Sequence, residues 1–313
     1  MRVLLTGANG FIGTAICSKL KHLDFTVQPV VRTMHSKVLS SHTLAPVVVD
    51  FKSNTDWSAA LDGVTHVIHL AARVHVMNDK STDPLEVYRK VNVDSTLNLA
   101  RQAAAAGVKR FVFISSVKVN GECTHFGRAF TEVDEPAPKD AYGQSKHEAE
   151  QGLRQIGADT GMEEVIIRPP LVYGPGVKAN FATLMQAVQR GFPLPLGSVH
   201  NQRSLVAMDN LVDFVTTCIT HSQAANQTFL VSDGQDLSTT ELVCGMAQAF
   251  GVPARLLPVP VWALQAGASL LGKGDAVQRL CGNLQVDISK ARSLLDWVPP
   301  VSVDEGLQRA MAI

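Results

Sequence analysis

Short β-branched runs alternate with amphipathic stretches through the first half of this chain of 313 residues. The intervening stretches, such as FIGTAICSKLKHL and DSTLNLARQAAAAG, carry apolar residues at helical spacing. Short, continuously apolar runs are typical of parallel strands that are buried on both faces. The alternation therefore predicts an α/β fold with a doubly wound parallel sheet. The predicted strands cover residues 2–7, 25–32, 45–50, 64–72, 109–116 and 163–170.

Proline and glycine become frequent after residue 170, in LVYGPGVKAN, RGFPLPLGSVHNQRS and GVPARLLPVPVWAL. Such segments favour loops, so we expect a smaller lobe above the carboxyl edge of the sheet. The run NQTFLVSDG at 226–234 predicts one more strand of the main sheet. We therefore expect a sheet domain over residues 1–170 with return segments at about 200–235, interleaved with a lobe that takes most of 171–313.

Charge and composition exclude several classes of protein. Basic and acidic residues both number 28, so the formal net charge is zero, and no basic stripe indicates nucleic-acid binding. Five cysteines occur without CxxC or Cys/His spacing, which predicts free thiols and neither a metal site nor a disulfide framework. The longest apolar stretch, at 261–271, is shorter than the ~20 residues of a membrane span. We expect a cytoplasmic protein.

The segment TGANGFIG at residues 6–13 follows the first predicted strand and opens the first predicted helix. Its glycines, Gly7, Gly10 and Gly13, allow a tight turn and a close approach of the backbone to a pyrophosphate. The helix N-terminus adds N–H groups and the positive end of the helix dipole. This strand–turn–helix context predicts a dinucleotide site.

A tyrosine stands four places before a lysine in AYGQSK, at Tyr142 and Lys146. Residues at this spacing share one face of a helix. An ammonium beside the phenol would favour the phenolate and lower the pKa of Tyr142. A tyrosine tuned in this way can act as a general base for an alcohol or as a general acid for a ketone.

The end of the second strand discriminates between the two nicotinamide dinucleotides. An acidic residue there binds the adenosine ribose of NAD, whereas an arginine can pair with the 2′-phosphate of NADP. The second predicted strand ends in PVVRT, which has no acid, and Arg32 occupies the relevant region. This favours NADP(H), with NAD(H) as the alternative.

Together these motifs resemble the extended short-chain dehydrogenase/reductases, the NAD-dependent epimerase/dehydratase family, which implies a Rossmann-type sheet with a substrate-binding lobe. The resemblance includes HLAA (69–72), VNVDST, FVFISS and YGQSK. It implies the catalytic set Ser116, Tyr142 and Lys146, with Asn92 as a structural residue. Besides Arg32, the implied cofactor residues are Gly7, Gly10, Phe11, Ile12, Gly13, Asp50, Phe51, Leu70, Ala71, Ala72, Asn92, Ser115, Tyr142, Lys146 and Pro169.

The resemblance continues into the second half of the chain. The segments RPPLVYGPG, KANFATLMQAVQRG and RSLVAMDNLVD resemble segments that contact a UDP-sugar in nucleotide-sugar epimerases and dehydratases. They imply substrate contacts from Asn180 and Arg203 in addition to Ser116, with Arg279 as a looser match. Many relatives carry asparagine where this chain has Leu171, which cannot donate that hydrogen bond.

Three functions fit these residues. The resemblance favours a reductase that transfers hydride to C4 of a UDP-4-keto-6-deoxy-N-acetylhexosamine for surface polysaccharide synthesis. The alternative is a UDP-glucose or UDP-N-acetylglucosamine 4-epimerase that retains NAD. A dinucleotide sensor without turnover is the remote third, because a sensor does not need Ser116, Tyr142 and Lys146 together.

The resemblance also bears on assembly. In relatives, the helices that correspond to residues 94–107 and 145–161 pair with their copies, which implies a homodimer with a four-helix interface. The histidines His66, His69, His75 and His200 lack the spacing of metal ligands, and we interpret them as structural or surface residues.

Overall fold

The computed structural model describes residues 1–33, 44–74, 83–270, 272 and 274–312. The strands are β1 (Arg2–Thr6), β2 (Thr26–Val31), β3 (Val47–Val48), β4 (His66–His69), β5 (Arg110–Ile114), β6 (Glu163–Arg168), β7 (Leu171–Tyr173), β8 (Leu205–Ala207) and β9 (Gln227–Leu230). The α-helices are α1 (Phe11–His22), α2 (Ser58–Leu61), α3 (Pro84–Arg89), α4 (Ser95–Ala105), α5 (Ala141–Thr160), α6 (Ala179–Gln189), α7 (Met208–Thr220), α8 (Thr239–Phe250), α9 (Val261–Leu270), α10 (Gly274–Cys281), α11 (Ser289–Leu295) and α12 (Val303–Met311). A π-helical turn covers Lys90–Asp94, and 3-10 turns cover Val117–Val119 and Ser222–Ala224.

Seven parallel strands form the main sheet in the order β3-β2-β1-β4-β5-β6-β9. All six strands predicted in the first half are present, and the run at 226–234 contributes β9 at one edge. The strand order reverses between β1 and β4, which is where open α/β sheets place a ligand crevice. The predicted doubly wound sheet is therefore confirmed.

The alternation of buried residues along β1 explains why helices cover both faces. Val3 and Leu5 join a core on one face with residues of α1 and α7, whereas Leu4 joins the opposite core with residues of α4 and α5. All three side chains are fully buried. Burying an aliphatic side chain of this size contributes about 1.5–3 kcal/mol, so each connecting helix is held by the strands beneath it.

A second, smaller sheet pairs β7 with β8 in parallel, and α6, α8 and α12 build a third core around it. The Tyr173 hydroxyl donates a hydrogen bond of 2.8 Å to Asp233 Oδ2. Asp233 Oδ1 accepts from the Ala207 N–H and from Asn210 Nδ2, both at 2.7 Å. Because Asp233 follows β9, this buried network ties the small sheet to the edge of the main one. The division into a domain at 1–170 and a lobe at 171–313 stays a prediction.

The two helices of the predicted dimer interface pack against each other within one chain. A Cβ atom at Gly152 of α5 would lie 2.5 Å from Leu97 Cδ1 of α4, so the glycine lets the helices approach closely. Their pairing with a second copy stays a prediction. Within the ranges given above, no helix is both long and apolar enough to cross a bilayer.

The turn between β1 and α1 leaves room for backbone only. Gly7 has φ of +68°, in the left-handed region that favours glycine. A Cβ atom at Gly13 would lie 2.1 Å from the Gly7 carbonyl oxygen and 2.9 Å from Ala8 Cα. These neighbours are backbone atoms, so they cannot move aside as a flexible side chain would.

We expect Gly13→Ala to lower the free energy of unfolding by about 1–3 kcal/mol, the usual cost of overpacking. The control is Gly267→Ala in α9, where nothing lies within 4 Å of the added Cβ and helix propensity favours alanine by up to about 1 kcal/mol. Urea unfolding of the two variants measures both effects. Equal stability of the two variants would contradict the close approach at Gly13.

Candidate active site

Four segments that the sequence singled out meet at one edge of the sheet, where the parallel strands end. The glycine turn follows β1, Leu70–Ala72 follows β4, Ser115 and Ser116 follow β5, and Pro169 follows β6. The carboxyl edge of such a sheet is the usual position of a ligand crevice. The fold therefore brings these sequence-distant residues together.

The glycine turn has the geometry of a phosphate cradle. The Gly10 N–H donates to the Gly7 carbonyl at 2.9 Å, which closes the turn immediately before α1. The first turn of a helix has backbone N–H groups without partners inside the helix, and here Phe11, Ile12 and Gly13 form that turn. Because Gly13 leaves the cradle without side-chain bulk, the residues present fit the pyrophosphate of a dinucleotide.

The residues that would face the adenosine end lie at the ends of two paired strands. Arg32 directly follows β2 and is exposed, and Asp50 and Phe51 follow β3. The Asp50 side chain is 70% exposed and pairs with Lys52 at 2.5 Å. Phe51 is buried and meets Trp57 edge-on at a centroid distance of 5.5 Å. This edge offers both a cation and a carboxylate to a ribose or a phosphate.

The Ser116 hydroxyl lies close enough to the Tyr142 phenol to lower the pKa of that phenol. Ser116 also caps the 3-10 turn by accepting from the Lys118 N–H at 3.2 Å. Tyr142 lies in the first turn of α5, which begins where the Asp140 carboxylate accepts from the Gly143 N–H at 2.7 Å. The Tyr88 ring packs edge-on against the Tyr142 ring at 6.2 Å. The sequence prediction placed these two hydroxyls together, and the structure does so.

The predicted lowering of the pKa of Tyr142 is wrong for this structure. Burial raises the pKa of the Tyr142 phenol, the electrostatic effects of Asp140 and of the Tyr88 phenol add to that rise, and only Ser116 lowers the pKa. Helix spacing indicates which side chains share a face, but it carries no information about how deeply the phenol is buried. The phenol is thus held in its neutral form, ready to donate a proton.

Lys146 is 2% exposed and is directed beneath the end of β5. Its Nζ donates to the Ile114 carbonyl at 2.8 Å and lies 4.3 Å from the centroid of the Phe113 ring. Burial lowers the pKa of the Lys146 ammonium to about 7, and the charge of Glu150 only partly opposes this. The lysine can therefore change its protonation state near neutral pH when the charge around it changes.

A buried carboxylate behind the site escaped the sequence analysis. Glu150 is fully buried and accepts from the Ser115 hydroxyl at 2.5 Å. Arg168 binds both of its oxygens, through Nη2 at 2.6 Å and Nε at 3.0 Å. Glu150 stands one helical turn after Lys146, and that spacing was its only sequence signal. The Ser115 hydroxyl is thus engaged with Glu150, and its predicted part in cofactor binding stays a prediction.

Asn92 joins two parts of the site. Its side chain accepts from the Arg73 N–H at 2.8 Å and donates to the Arg73 carbonyl at 3.0 Å, which fixes the backbone after β4. The same amide nitrogen donates to the Ser145 hydroxyl at 2.9 Å. Asn92 thereby holds the segment after β4 against the N-terminal part of α5, and the role that the resemblance implies for it stays a prediction.

Three predicted substrate residues line one cavity in the smaller lobe. Asn180 at the start of α6, Arg203 before β8 and Arg279 of α10 surround a volume of about 530 Å³, and Leu171 also lines it. The rest of the lining is mostly apolar and comes from α6, α8, α9, α10, β8 and the loops that precede β8 and α8. Arg203 Nη1 donates to the Gly282 carbonyl at 3.0 Å. Two guanidiniums in one apolar chamber can bind a diphosphate.

Two of the histidines that the sequence analysis considered lie on β4. Among the residues that the structure describes, no group of three His, Cys, Asp or Glu side chains could hold a metal ion. His69 is fully buried between two threonine hydroxyls, and His66 is half-buried beside Thr65. His75 lies outside the described residues.

Comparisons with known proteins agree with this geometry. The profile of the NAD dependent epimerase/dehydratase family matches residues 3–232. A UDP-glucose 4-epimerase of Vibrio cholerae is 50% identical over 309 residues, which cover 98% of this chain and 93% of that protein. An N-acetyl-alpha-D-glucosaminyl-diphospho-ditrans,octacis-undecaprenol 4-epimerase of Escherichia coli O157:H7 is 28% identical over 328 residues, which cover 99% of this chain and 94% of that protein.

A solved structure shares the fold over nearly the whole chain. The UDP-glucuronic acid 4-epimerase from Bacillus cereus in complex with NAD matches with a TM-score of 0.80 and 23% identity, covering 99% of this chain and 95% of that chain. At this sequence identity the similarity supports a shared fold and nothing further.

The buried Lys146 predicts a pH dependence of stability. Its pKa in the folded state, about 7, lies below the ordinary value of 10.5, so at intermediate pH the unfolded chain binds more protons than the folded one. Stability therefore rises with pH, by roughly 1.6 kcal/mol between pH 7 and pH 8.5. Urea unfolding should show this rise in the wild type but not in Lys146→Met. The same slope in both proteins would mean that Lys146 does not titrate in this window.

Proposed function

The chain belongs to the NAD-dependent epimerase/dehydratase family, and within it we propose that this enzyme is a nucleotide-sugar 4-epimerase that uses retained NAD and a UDP-hexose. The observation that carries the proposal is the proximity of the Ser116 and Tyr142 hydroxyls at the carboxyl edge beside the glycine cradle. The 50% identity to a UDP-glucose 4-epimerase supports the choice of reaction within the family.

The proposed chemistry needs one group that moves a proton at the sugar C4 oxygen. A dinucleotide held at the cradle of Gly7, Gly10 and Gly13 would supply a nicotinamide ring capable of reversible hydride exchange with the sugar C4. As the phenolate, Tyr142 takes the proton of the C4 hydroxyl, and the resulting phenol gives that proton back when the ketone is reduced. Ser116 holds the same oxygen in line, because its hydroxyl lies next to that of Tyr142.

Lys146 acts on the phenol through charge. It lies one turn along α5, and its pKa of about 7 leaves it close to half protonated in the unliganded protein at neutral pH. A charged Lys146 favours the phenolate, whereas burial, Asp140 and Tyr88 oppose it. Tyr142 is therefore a better base when Lys146 carries its proton.

The substrate diphosphate is assigned to the cavity of the smaller lobe. Arg203 and Arg279 supply two guanidiniums, and Asn180 adds an amide at the start of α6. These groups bind the part of the substrate that does not react. The sugar can then turn its other face toward the hydride position while the diphosphate stays bound, as 4-epimerisation requires.

A second candidate is reduction of a UDP-4-keto-6-deoxy-N-acetylhexosamine with exchangeable NADPH. It is favoured by Arg32, which is exposed directly after β2 where an NAD enzyme commonly carries an acid. The two candidates share Ser116 and Tyr142 and differ in cofactor handling. An epimerase restores its cofactor in every cycle, whereas a reductase must exchange it.

The proposed role of Tyr142 predicts a large loss of activity when its phenolic oxygen is removed. We expect Tyr142→Phe to lower kcat by about 10²–10⁴-fold, the usual contribution of a positioned acid–base group, while the dinucleotide still binds. Tyr88→Phe is the matched control, since Tyr88 packs on the same ring and this change likewise removes a single phenolic oxygen, which donates to the Val74 carbonyl at 3.3 Å. Activity of Tyr142→Phe within tenfold of that of the control would remove the proton-transfer role.

The fate of the cofactor separates the two candidates. Denaturing the purified protein and identifying the released dinucleotide by mass spectrometry should yield about one NAD per chain, and UDP-glucose should convert to UDP-galactose without added cofactor. Protein that carries no NAD, and that oxidises NADPH when given the UDP-4-keto sugar, would establish the reductase instead.

A further inference from the structure

His69 is the last residue of β4, and it links the cofactor cradle to a helix on the face of the sheet. Its Nδ1 lies 2.8 Å from the Thr6 hydroxyl at the end of β1, and its Nε2 lies 2.9 Å from the Thr96 hydroxyl of α4. The ring also stacks on Phe113, with centroids 5.9 Å apart and planes inclined by 16°. The side chain is fully buried and has no route to substrate.

The hydrogen bonds around Thr6 assign the proton positions. The Thr6 oxygen accepts from the Leu70 N–H and the Ala71 N–H, both at 3.1 Å. A hydroxyl has two acceptor lone pairs and one proton, so both lone pairs are occupied. The Thr6 proton must therefore go to Nδ1 of His69, and the imidazole carries its own proton on Nε2, which it donates to Thr96.

The other forms of the ring are incompatible with this network. A proton on Nδ1, in the other tautomer or in the imidazolium, would place a third donor against an oxygen with two lone pairs. Burial also lowers the pKa of His69 to about 3, and the positive charge of Lys146 adds to that effect. The ring is therefore a fixed acceptor toward Thr6 throughout the physiological pH range.

The two N–H groups that Thr6 holds belong to the wall of the dinucleotide site. Ala71 N lies 3.2 Å, and Leu70 Cβ 3.3 Å, from where a Cβ atom would stand on Gly7. The backbone after β4 thus packs closely against Gly7, the first glycine of the cradle. The position of this backbone depends on both lone pairs of the Thr6 hydroxyl being available to accept hydrogen bonds.

We propose that His69 is a positioning residue for the cofactor. By taking the Thr6 proton it frees both lone pairs of Thr6 for Leu70 and Ala71, and so sets the distance between the end of β4 and the glycine turn. Thr96 completes the arrangement from α4, because its hydroxyl accepts the Nε2 proton and thereby fixes the tautomer. This role concerns the cradle alone, so it holds for an epimerase and for a reductase.

Dinucleotide binding tests the proposal independently of turnover. The dissociation constant of NAD(H) is measured by intrinsic fluorescence or calorimetry on protein stripped of nucleotide. His69→Phe keeps an aromatic ring and removes the hydrogen-bond acceptor. We expect it to raise the dissociation constant about tenfold, which is the effect of losing one hydrogen bond. Thr96→Val should act in the same direction, although Thr96 lies on the far side of His69 from the cradle. Thr6→Ser, which keeps the hydroxyl, should bind as the wild type does.

A matched control stands on the same strand. His66 at the start of β4 makes the same kind of pair, with Nδ1 2.9 Å from the Thr65 hydroxyl, but away from the carboxyl edge. His66→Phe should leave the dissociation constant within twofold of the wild type.

The double variant Thr6→Val/His69→Phe should bind no more weakly than Thr6→Val alone, because His69 acts through Thr6. Additive losses, or an unchanged constant in His69→Phe, would overturn the proposal.

A measurement on the unaltered protein covers the case in which the variants do not fold. Nitrogen-15 chemical shifts of the labelled histidine ring should show His69 protonated on Nε2 only, without titration between pH 5 and pH 8. A proton on Nδ1, or a mixture of tautomers, would contradict the arrangement.

Discussion

The catalytic edge of this protein is held from behind by one buried carboxylate. Glu150 of α5 binds the hydroxyl that follows β5 and the guanidinium that ends β6, so three neighbouring elements meet at two oxygen atoms. A buried charge costs several kcal/mol to desolvate and is tolerated only with well-formed partners. The bidentate Arg168 provides them, and α5 is consequently fixed relative to the strand ends. The positions of Tyr142 and Lys146 on the same helix follow from this anchor.

Sequence reasoning succeeded where a physical pattern repeats along the chain. Continuous apolar runs marked the parallel strands, because strands buried on both faces have no polar alternation. The glycines of the first turn marked the cradle because backbone packing at Gly13 excludes any side chain. The grouping of Asn180, Arg203 and Arg279 came from family resemblance alone, and the fold gathers them around one cavity.

The failures have a common physical origin. The ionisation of Tyr142 depends on desolvation, and desolvation depends on which elements cover the phenol, which spacing does not encode. Glu150 and His69 are single polar residues whose partners lie far away in sequence, as with His69 and Thr6, which are separated by 63 positions. Only the three-dimensional structure shows that these two residues make the hydrogen bonds on which the neighbouring functional residues depend.

The order of strands in the sheet has a consequence for synthesis of the chain. The strand that completes the sheet, β9, is translated only after β7, α6, β8 and α7, so β6 emerges from the ribosome with one side unpaired. An open strand edge readily pairs with other chains, and nascent multilayer proteins aggregate through such intermediates. Shielding of this edge during translation, by a chaperone or by a pause in elongation, therefore matters more for this topology than for one whose strands are made in spatial order.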